Sequence, residues 1–318
     1  MGNTLRLIGR RLLQLPLMIL GITFLVFFVM SFSNVDPSIT ALGEGASIED
    51  RKAWREDHGL NQPLLLRYFL FIGGLIRFDL GTYSARQLPV IEEIARAFPV
   101  TLQLTFLGLF IAIIGATILG VTAAVFRGRW GDQLIRVVSV ASLSMPSFWL
   151  AVLLIQVVTL QWGLLPASGP LPEFSEDPAG WLARMTLPAI ALAVPVIGQL
   201  SRVVRTAMVE ELDRDYVRTA LGAGVPRAVV IARNVFRNAL ITPVTVLGLR
   251  VGYLIGGAVV IEIIFALPGM GTLILQGVTN NEPNLVQGVT ITVALAFIVI
   301  NIIVDLLYVL INPRIRSV

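Results

Sequence analysis

Residues 202–243 read RVVRTAMVEELDRDYVRTALGAGVPRAVVIARNVFRNALITP, a charged, helix-prone insert with very apolar sequence on both sides. Within it, Ala220, Ala223 and Gly224 stand just before Pro226, which suits the first position of a new helix because it has no N–H to lose there. The local expectation is helix, glycine break, helix. Small residues at such a bend let another protein's surface approach the backbone, and the surrounding charges keep the bend in water. An ordinary loop with two solvated helices fits the same residues, so the rest of the chain has to decide.

The 318 residues are 56% hydrophobic and only 14% charged. A soluble domain carries roughly a quarter charged residues, so the bulk of this chain belongs in lipid. Lys52 is the only lysine, and arginines supply the other basic groups behind the net charge of +4. In a membrane protein the position of such charge reports topology rather than nucleic-acid binding. With no cysteine and one histidine, His58, the sequence excludes disulfides, thiolate chemistry and His/Cys metal sites, while a carboxylate site stays open.

Apolar length sets the expected architecture, an all-α polytopic membrane protein with six transmembrane helices. The first span, Leu12 to Phe32, follows Arg6, Arg10 and Arg11 and is long enough to cross a hydrocarbon core of ~30 Å, so residues 1–32 read as an uncleaved anchor. Leu102–Phe126, Val137–Leu160, Thr186–Val204, Leu240–Phe265 and Val286–Ile311 supply the other five. Pro188 and Pro195 predict that the fourth is bent or tightly packed. Residues 33–99 form a large extracytoplasmic loop region, in which Leu64–Phe78, interrupted by Arg67 and Arg77, is expected at the interface or packed on the protein. Residues 100–318 form the core, with a cytoplasmic segment at 205–239. With a cytoplasmic N-terminus, the inner segments hold fifteen arginines and the two short outer loops hold only Arg184. The positive-inside rule then puts both termini and the 202–243 segment in the cytoplasm.

Chemistry-bearing constellations are sparse. No GxxxxGK[ST] cradle is present, so an energy-coupled function needs a second polypeptide. No Ser/His pair is available within the apolar spans for hydrolysis. Gly248, Gly252 and Gly256 recur every four residues in the fifth span, a stripe suited to close helix contact within this chain, with a partner subunit or at a moving gate. Arg250, Glu262 and Asp305 are the ionisable residues near membrane depth, and each must face protein, water or the interface in a structural, gating or substrate-contacting role.

Taken in order, HGLNQPLLLRY, FPVTLQLT, SLSMPSFWLAVLL, LPAIALAVPVIGQLSRVVRTAM, DYVRTALGAGVP, RNALITP, EIIFALPGMGTL and DLLYVLINPRIR run through nearly the whole chain. The chain thereby resembles the inner-membrane permease subunit of a bacterial ATP-binding-cassette (ABC) importer, of the dipeptide/oligopeptide (nickel, glutathione) branch. That resemblance implies a type I importer, MetI-like fold. It implies as partners a homologous second permease, two ABC ATPase subunits or domains, an extracytoplasmic substrate-binding protein and a peptide substrate, with lipid around and no nucleic acid. ATP and Mg would be bound by the ATPases, with no cofactor, metal or catalytic residue in this chain.

Matched on glycine, the family's EAA motif falls on Arg218, Thr219, Ala220 and Gly224, with RTA in place of EAA. The short helix from Arg218 to Val225 would be the coupling helix that enters a cleft of the ATPase. Asn234, Val235, Phe236 and Arg237 stand where the general motif continues Ile-x-Leu-Pro. Phe78 precedes Asp79 where the usual run is Gly-Asp-Leu-Gly. An ion-coupled secondary transporter is the rival reading; it expects clustered midplane carboxylates and inverted repeats, neither of which stands out.

Overall fold

The computed structural model describes residues 2–32, 36–43, 45–57, 59–84 and 86–311, with side chains from 15 to 304 except those of 40 and 249. Arg6, Arg10, Arg11, Arg314 and Arg316, used above for topology, lie outside the described side chains. In order the elements are α1 (Gly2–Ser31), α2 (Pro37–Leu42), α3 (Ile48–Asp57), α4 (Leu64–Ile76), β1 (Thr82–Tyr83), β2 (Leu88–Pro89), α5 (Val90–Val125), α6 (Trp130–Ser144), α7 (Ser147–Leu154), α8 (Pro178–Leu212), α9 (Asp215–Gly222), α10 (Arg227–Val229), α11 (Phe236–Ala239), α12 (Ile241–Ile264), α13 (Met270–Thr279) and α14 (Pro283–Ile311). Wide π-type turns extend α7 over Ile155–Gln161 and join α10 to α11 over Val230–Val235.

Among the described residues three helices are long and apolar enough to cross a membrane: α5, α8 and α14 over Pro283–Val304. Two bent pairs, Trp130–Ser144 with Ser147–Gln161 and the two halves of α12, raise the number to five if each is one span. In α1 the described apolar part is Leu15–Ser31. The expected span Val137–Leu160 falls on two helices that meet at a bend of 102°. Its cause is local: Met145 precedes Pro146, whose ring excludes α geometry from the residue before it, and Met145 sits at φ −86°, ψ 121°. The second span also begins earlier than apolar length indicated, because α5 starts at Val90.

The chain divides into two units, one built mainly on Gln103–Ala266 and one on Arg6–Leu102 with Leu267–Val299. In the first, α8 is the buried spine. Pro188 and Pro195 remove two helical N–H donors, yet α8 runs on through both and is largely buried, in line with the tight packing expected there. Small residues make that packing possible. A Cβ on Gly120 of α5 would lie 2.6 Å from Val204 Cβ, and one on Gly198 of α8 would lie 2.6 Å from the Ser139 carbonyl oxygen of α6. The hydroxyls of Ser139 and Ser201 bond to each other at 2.9 Å across the same seam.

At one end of this seam Asp132 in the first turn of α6 is 1% exposed and takes a bidentate contact from Arg205 of α8, Nε at 2.6 Å and Nη2 at 2.8 Å. The Gly128 N–H donates to its second oxygen at 3.0 Å. Both oxygens of this buried carboxylate thus accept hydrogen bonds and Arg136 stands 3.6 Å from the first, and such pairing is the condition under which burial of a charge is tolerated.

In the second unit the 33–99 region holds three short helices and a two-residue-strand hairpin among its described residues. The segment expected at the interface or packed on the protein, α4, packs on α1: the Tyr68 hydroxyl lies 3.1 Å from Thr23 Oγ1 and donates to the Leu20 carbonyl at 2.9 Å, and Phe71 stacks on Phe27. Asp36 caps α2 and pairs with Arg55 at 2.5 Å. Burial pushes its carboxyl up, but two Ser38 hydrogen bonds with Arg55 and Arg51 outweigh that and hold it below the usual range.

Helix α4 closes with a paired C-terminal hydrogen bond pattern, Asp79 N–H to Gly74 O at 2.9 Å and Phe78 N–H to Leu75 O at 3.1 Å. That pattern puts the intervening residue in the left-handed region, where Phe78 sits at φ +60°. Glycine is the residue such a position favours, so the departure noted at Phe78 carries backbone strain.

Two outcomes follow for the purified protein in detergent, read by thermal unfolding. Phe78→Gly should stabilise by about 0.5–1 kcal/mol, the left-handed relief less the entropy of glycine, since the Phe78 ring is largely exposed. Asp132→Ala should destabilise by about 3–5 kcal/mol, and Asp132→Leu with Arg205→Met together should recover most of that loss, because the cost lies in the stranded partner charge.

Candidate functional site

The charged insert folds as the local reading expected. Helix α9 runs from Asp215 to Gly222, a few residues earlier than the Arg218–Val225 segment, and Pro226 caps α10 from one residue outside it. Between them the chain turns by the same paired C-terminal pattern as α4, with Val225 N–H to Ala220 O at 3.1 Å and Gly224 N–H to Leu221 O at 3.0 Å. Gly224 takes the left-handed position at φ +81°, and a Cβ there would meet nothing within 4 Å. Backbone conformation and open space around it, rather than internal crowding, therefore account for this glycine.

The elbow is exposed on its outer side and firmly held on its inner side. Arg218, Thr219, Gly224 and Val225 are exposed and Ala220 is half-buried. Leu221 (41% exposed), Val225 and Val229 add an apolar strip beside the small residues. Val217, Val230 and Val235 point the other way, into a cluster with Leu200, Val204 and Met208 of α8 and Ala116 and Ala124 of α5. Burying these three valines contributes roughly 1.5–3 kcal/mol each.

Tyr216 adds a polar tie, its hydroxyl donating to Glu211 Oε2 at 2.8 Å. Burial, followed by Glu211, pushes the phenol up, so it stays a neutral donor. Arg127 and Asp213 pair at 2.7 Å on the surface, a contact of little weight when both are exposed.

The glycine stripe of α12 does not act as one surface. Gly248 and Gly252 are buried, and a Cβ on Gly248 would lie 2.3 Å from Val304 Cγ1 of α14; Gly256 is exposed with open space around it. The adjacent Gly257 is the tight one, with a Cβ there 2.9 Å from Leu192 of α8. Glu262 is fully buried near the end of α12. The side chain of Asp305 lies outside the described residues. Arg184, also buried, donates to the Phe265 carbonyl that closes α12 at 3.3 Å and to Gly169 O at 3.0 Å, placing a cation at a helix C-terminus. Among the described residues no group of three His, Cys, Asp or Glu side chains could hold a metal ion.

Two features were missed by sequence reasoning. The Asp132–Arg205 pair joins residues 73 apart and leaves no local signature. The anchoring valines alternate with exposed residues around the elbow, a signal overshadowed by the charges beside them.

The described residues thus form a helical body with an exposed elbow fastened to α8. Residues 116–317 match the family described as binding-protein-dependent transport system inner membrane component. A putative peptide transport system permease protein of Brucella abortus (strain 2308) is 39% identical, with 98% of each chain covered. The glutathione transport system permease protein GsiC of Pectobacterium atrosepticum is 35% identical over 96% of this chain and 97% of its own. The probable D,D-dipeptide transport system permease protein DdpB of Escherichia coli (strain K12) is 33% identical over 97% of both. A solved structure described as an amino acid ABC transporter with histidines shares the fold, with a TM-score of 0.51 at 15% identity over 70% of this chain and 94% of that chain. The chain belongs to the binding-protein-dependent inner-membrane permease family of ABC importers.

The packing behind the elbow sets one expectation. Val230→Asp, which buries an unpaired carboxylate at a cost of several kcal/mol, should speed tryptic cleavage at Arg218 and Arg227 by at least about tenfold, while cleavage elsewhere is unchanged.

Proposed function

We propose that this chain is one half of the translocation path of an ATP-driven importer of di- and oligopeptides, coupled to ATPase subunits through the α9 elbow. A homologous permease supplies the other half, two ABC ATPases bind ATP and Mg, and an extracytoplasmic binding protein delivers the cargo. The chain itself carries out no covalent chemistry and binds no cofactor. Six spans hold it in the bacterial inner membrane: residues 1–32 form the anchor, 33–99 the extracytoplasmic region and 100–318 the core, with the coupling segment at 205–239 and both termini cytoplasmic.

The carrying observation is the two-sidedness of the elbow. Its exposed small and apolar residues suit docking into a cleft, and its buried valines join it to α8 and α5. A rigid joint is what a mechanical coupler needs, because motion of the ATPases then reaches the membrane helices as rocking rather than local bending. The peptide, glutathione and D,D-dipeptide named for the relatives support a peptide cargo.

Leu221→Glu tests docking without touching the turn. It should leave the chain inserted and thermally stable but abolish stimulation of ATP hydrolysis by loaded binding protein. Gly224→Asn, which keeps the left-handed turn, should retain stimulation, whereas Gly224→Glu should lose it. Full stimulation in Leu221→Glu would contradict the docking role. Ion-driven uptake by the isolated chain would favour a secondary transporter.

A further inference from the structure

Arg250 lies ten positions into the apolar helix α12, with no other ionisable residue in that helix except Glu262 near its end. Its Nε is shielded from solvent and has no hydrogen-bond partner among the described residues. An arginine at such a depth is costly unless it meets an acceptor. It lines a cavity of about 310 Å³ with Ser144, Met145, Gln199 and Tyr253, at the bend between α6 and α7. A second cavity, of about 450 Å³, also lined by Leu143 and Gln199, continues along α8 to Arg202 and Glu210. The two share Leu143 and Gln199 and bring polar side chains to a face bordered by apolar helix. Tyr253, Gly256 and Val260 are exposed on the same helix, so this face does not end in a sealed core.

We propose that Arg250, flanked by Gln199 and Tyr253, is a cargo-contacting residue that receives a carboxylate of the passing peptide. The chemistry follows from the donor set. A guanidinium presents paired N–H groups that match the two oxygens of a carboxylate, and the amide and phenol beside it supply neutral hydrogen bonds that orient the group without adding charge. A carboxylate with an open acceptor face supplies what the stranded Nε lacks. The volume accommodates the end of a short peptide rather than an entire long one, so the contact recognises the terminal group and is indifferent to most side chains. This inference rests on the peptide-importer reading and adds a point of selectivity inside the membrane to that of the delivering protein.

The test uses the full transporter in proteoliposomes with its cognate binding protein, and compares uptake of one tripeptide as its free acid and as its C-terminal amide. Rates are normalised to the affinity of the binding protein for each form. The wild type should favour the acid; Arg250→Gln should lower the acid-to-amide ratio by about tenfold, the worth of a charge-assisted hydrogen bond, and Arg250→Lys, which keeps the charge without the paired N–H groups, should keep only part of it. A wild-type ratio in Arg250→Gln would overturn the assignment.

Because the chain has no cysteine, Tyr253→Cys provides a second readout with Arg250 in place. Its modification by a thiol reagent should be slowed by the free acid and not by the amide, and equal protection by both would also overturn the assignment. If neither form is taken up by the wild-type transporter with ATP, the importer reading fails instead.

Discussion

An eight-residue helix cannot hold its own shape or position in water, so everything asked of α9 depends on the apolar seam beneath it. Val217, Val230 and Val235 enter that seam from the elbow, and Val204 and Met208 meet them from α8. Close-packed interiors transmit displacement rather than absorb it, so a push on the exposed face of α9 is delivered to the most buried helix of the unit. The Asp132–Arg205 pair ties α8 in turn to α6. Without the seam the small residues at the turn would hang on a tether; with it they sit on a joint fixed to α8.

Helix α8 packs closely because the surfaces along it carry small and singly polar residues. Hydrophobicity does not distinguish a neighbouring helix from a lipid tail, so contact has to come from shape. Gly120 and Gly198 allow helix α8 to approach α5 and α6 at distances that any side chain would block, and the Ser139–Ser201 hydrogen bond fixes their register. Two prolines inside α8 are carried by these contacts. In the serine-rich run before the α6–α7 bend, Ser139 and Ser142 are buried against α8, while Ser144 is exposed.

Much of the architecture was legible in the sequence because it follows from lengths. Apolar runs placed α12, α14 and the end of α1 close to their observed positions, and the glycine shortly before Pro226 marked the elbow. What escaped is non-local or masked by composition. The start of α5 at Val90 carries Glu92, Glu93 and Arg96, which break the apolar run without breaking the helix. The bend at Met145 was written in the following proline, but the apolar residues on both sides read as one span.

The stripe Gly248–Gly252–Gly256 shows the limit of periodicity: spacing put the three on one face, but only packing decides that Gly248 is filled by Val304 while Gly256 stays open. Two turns of the same geometry carry Gly224 in one and Phe78 in the other, so the shape of a helix end is set by its hydrogen bonds more than by the residue that would relax it best.

The absence of cysteine makes the central claim directly accessible. With a single cysteine at position 221, cross-linking across the assembled transporter in membranes would be measured against one cysteine on the ATPase, with and without ATP. The account predicts a cross-link formed from the cytoplasmic side and retained in both nucleotide states, because the elbow moves with the ATPase as a rigid body. Modification of that cysteine by an impermeant reagent from the outer side, or its free reactivity in the complete complex, would contradict it.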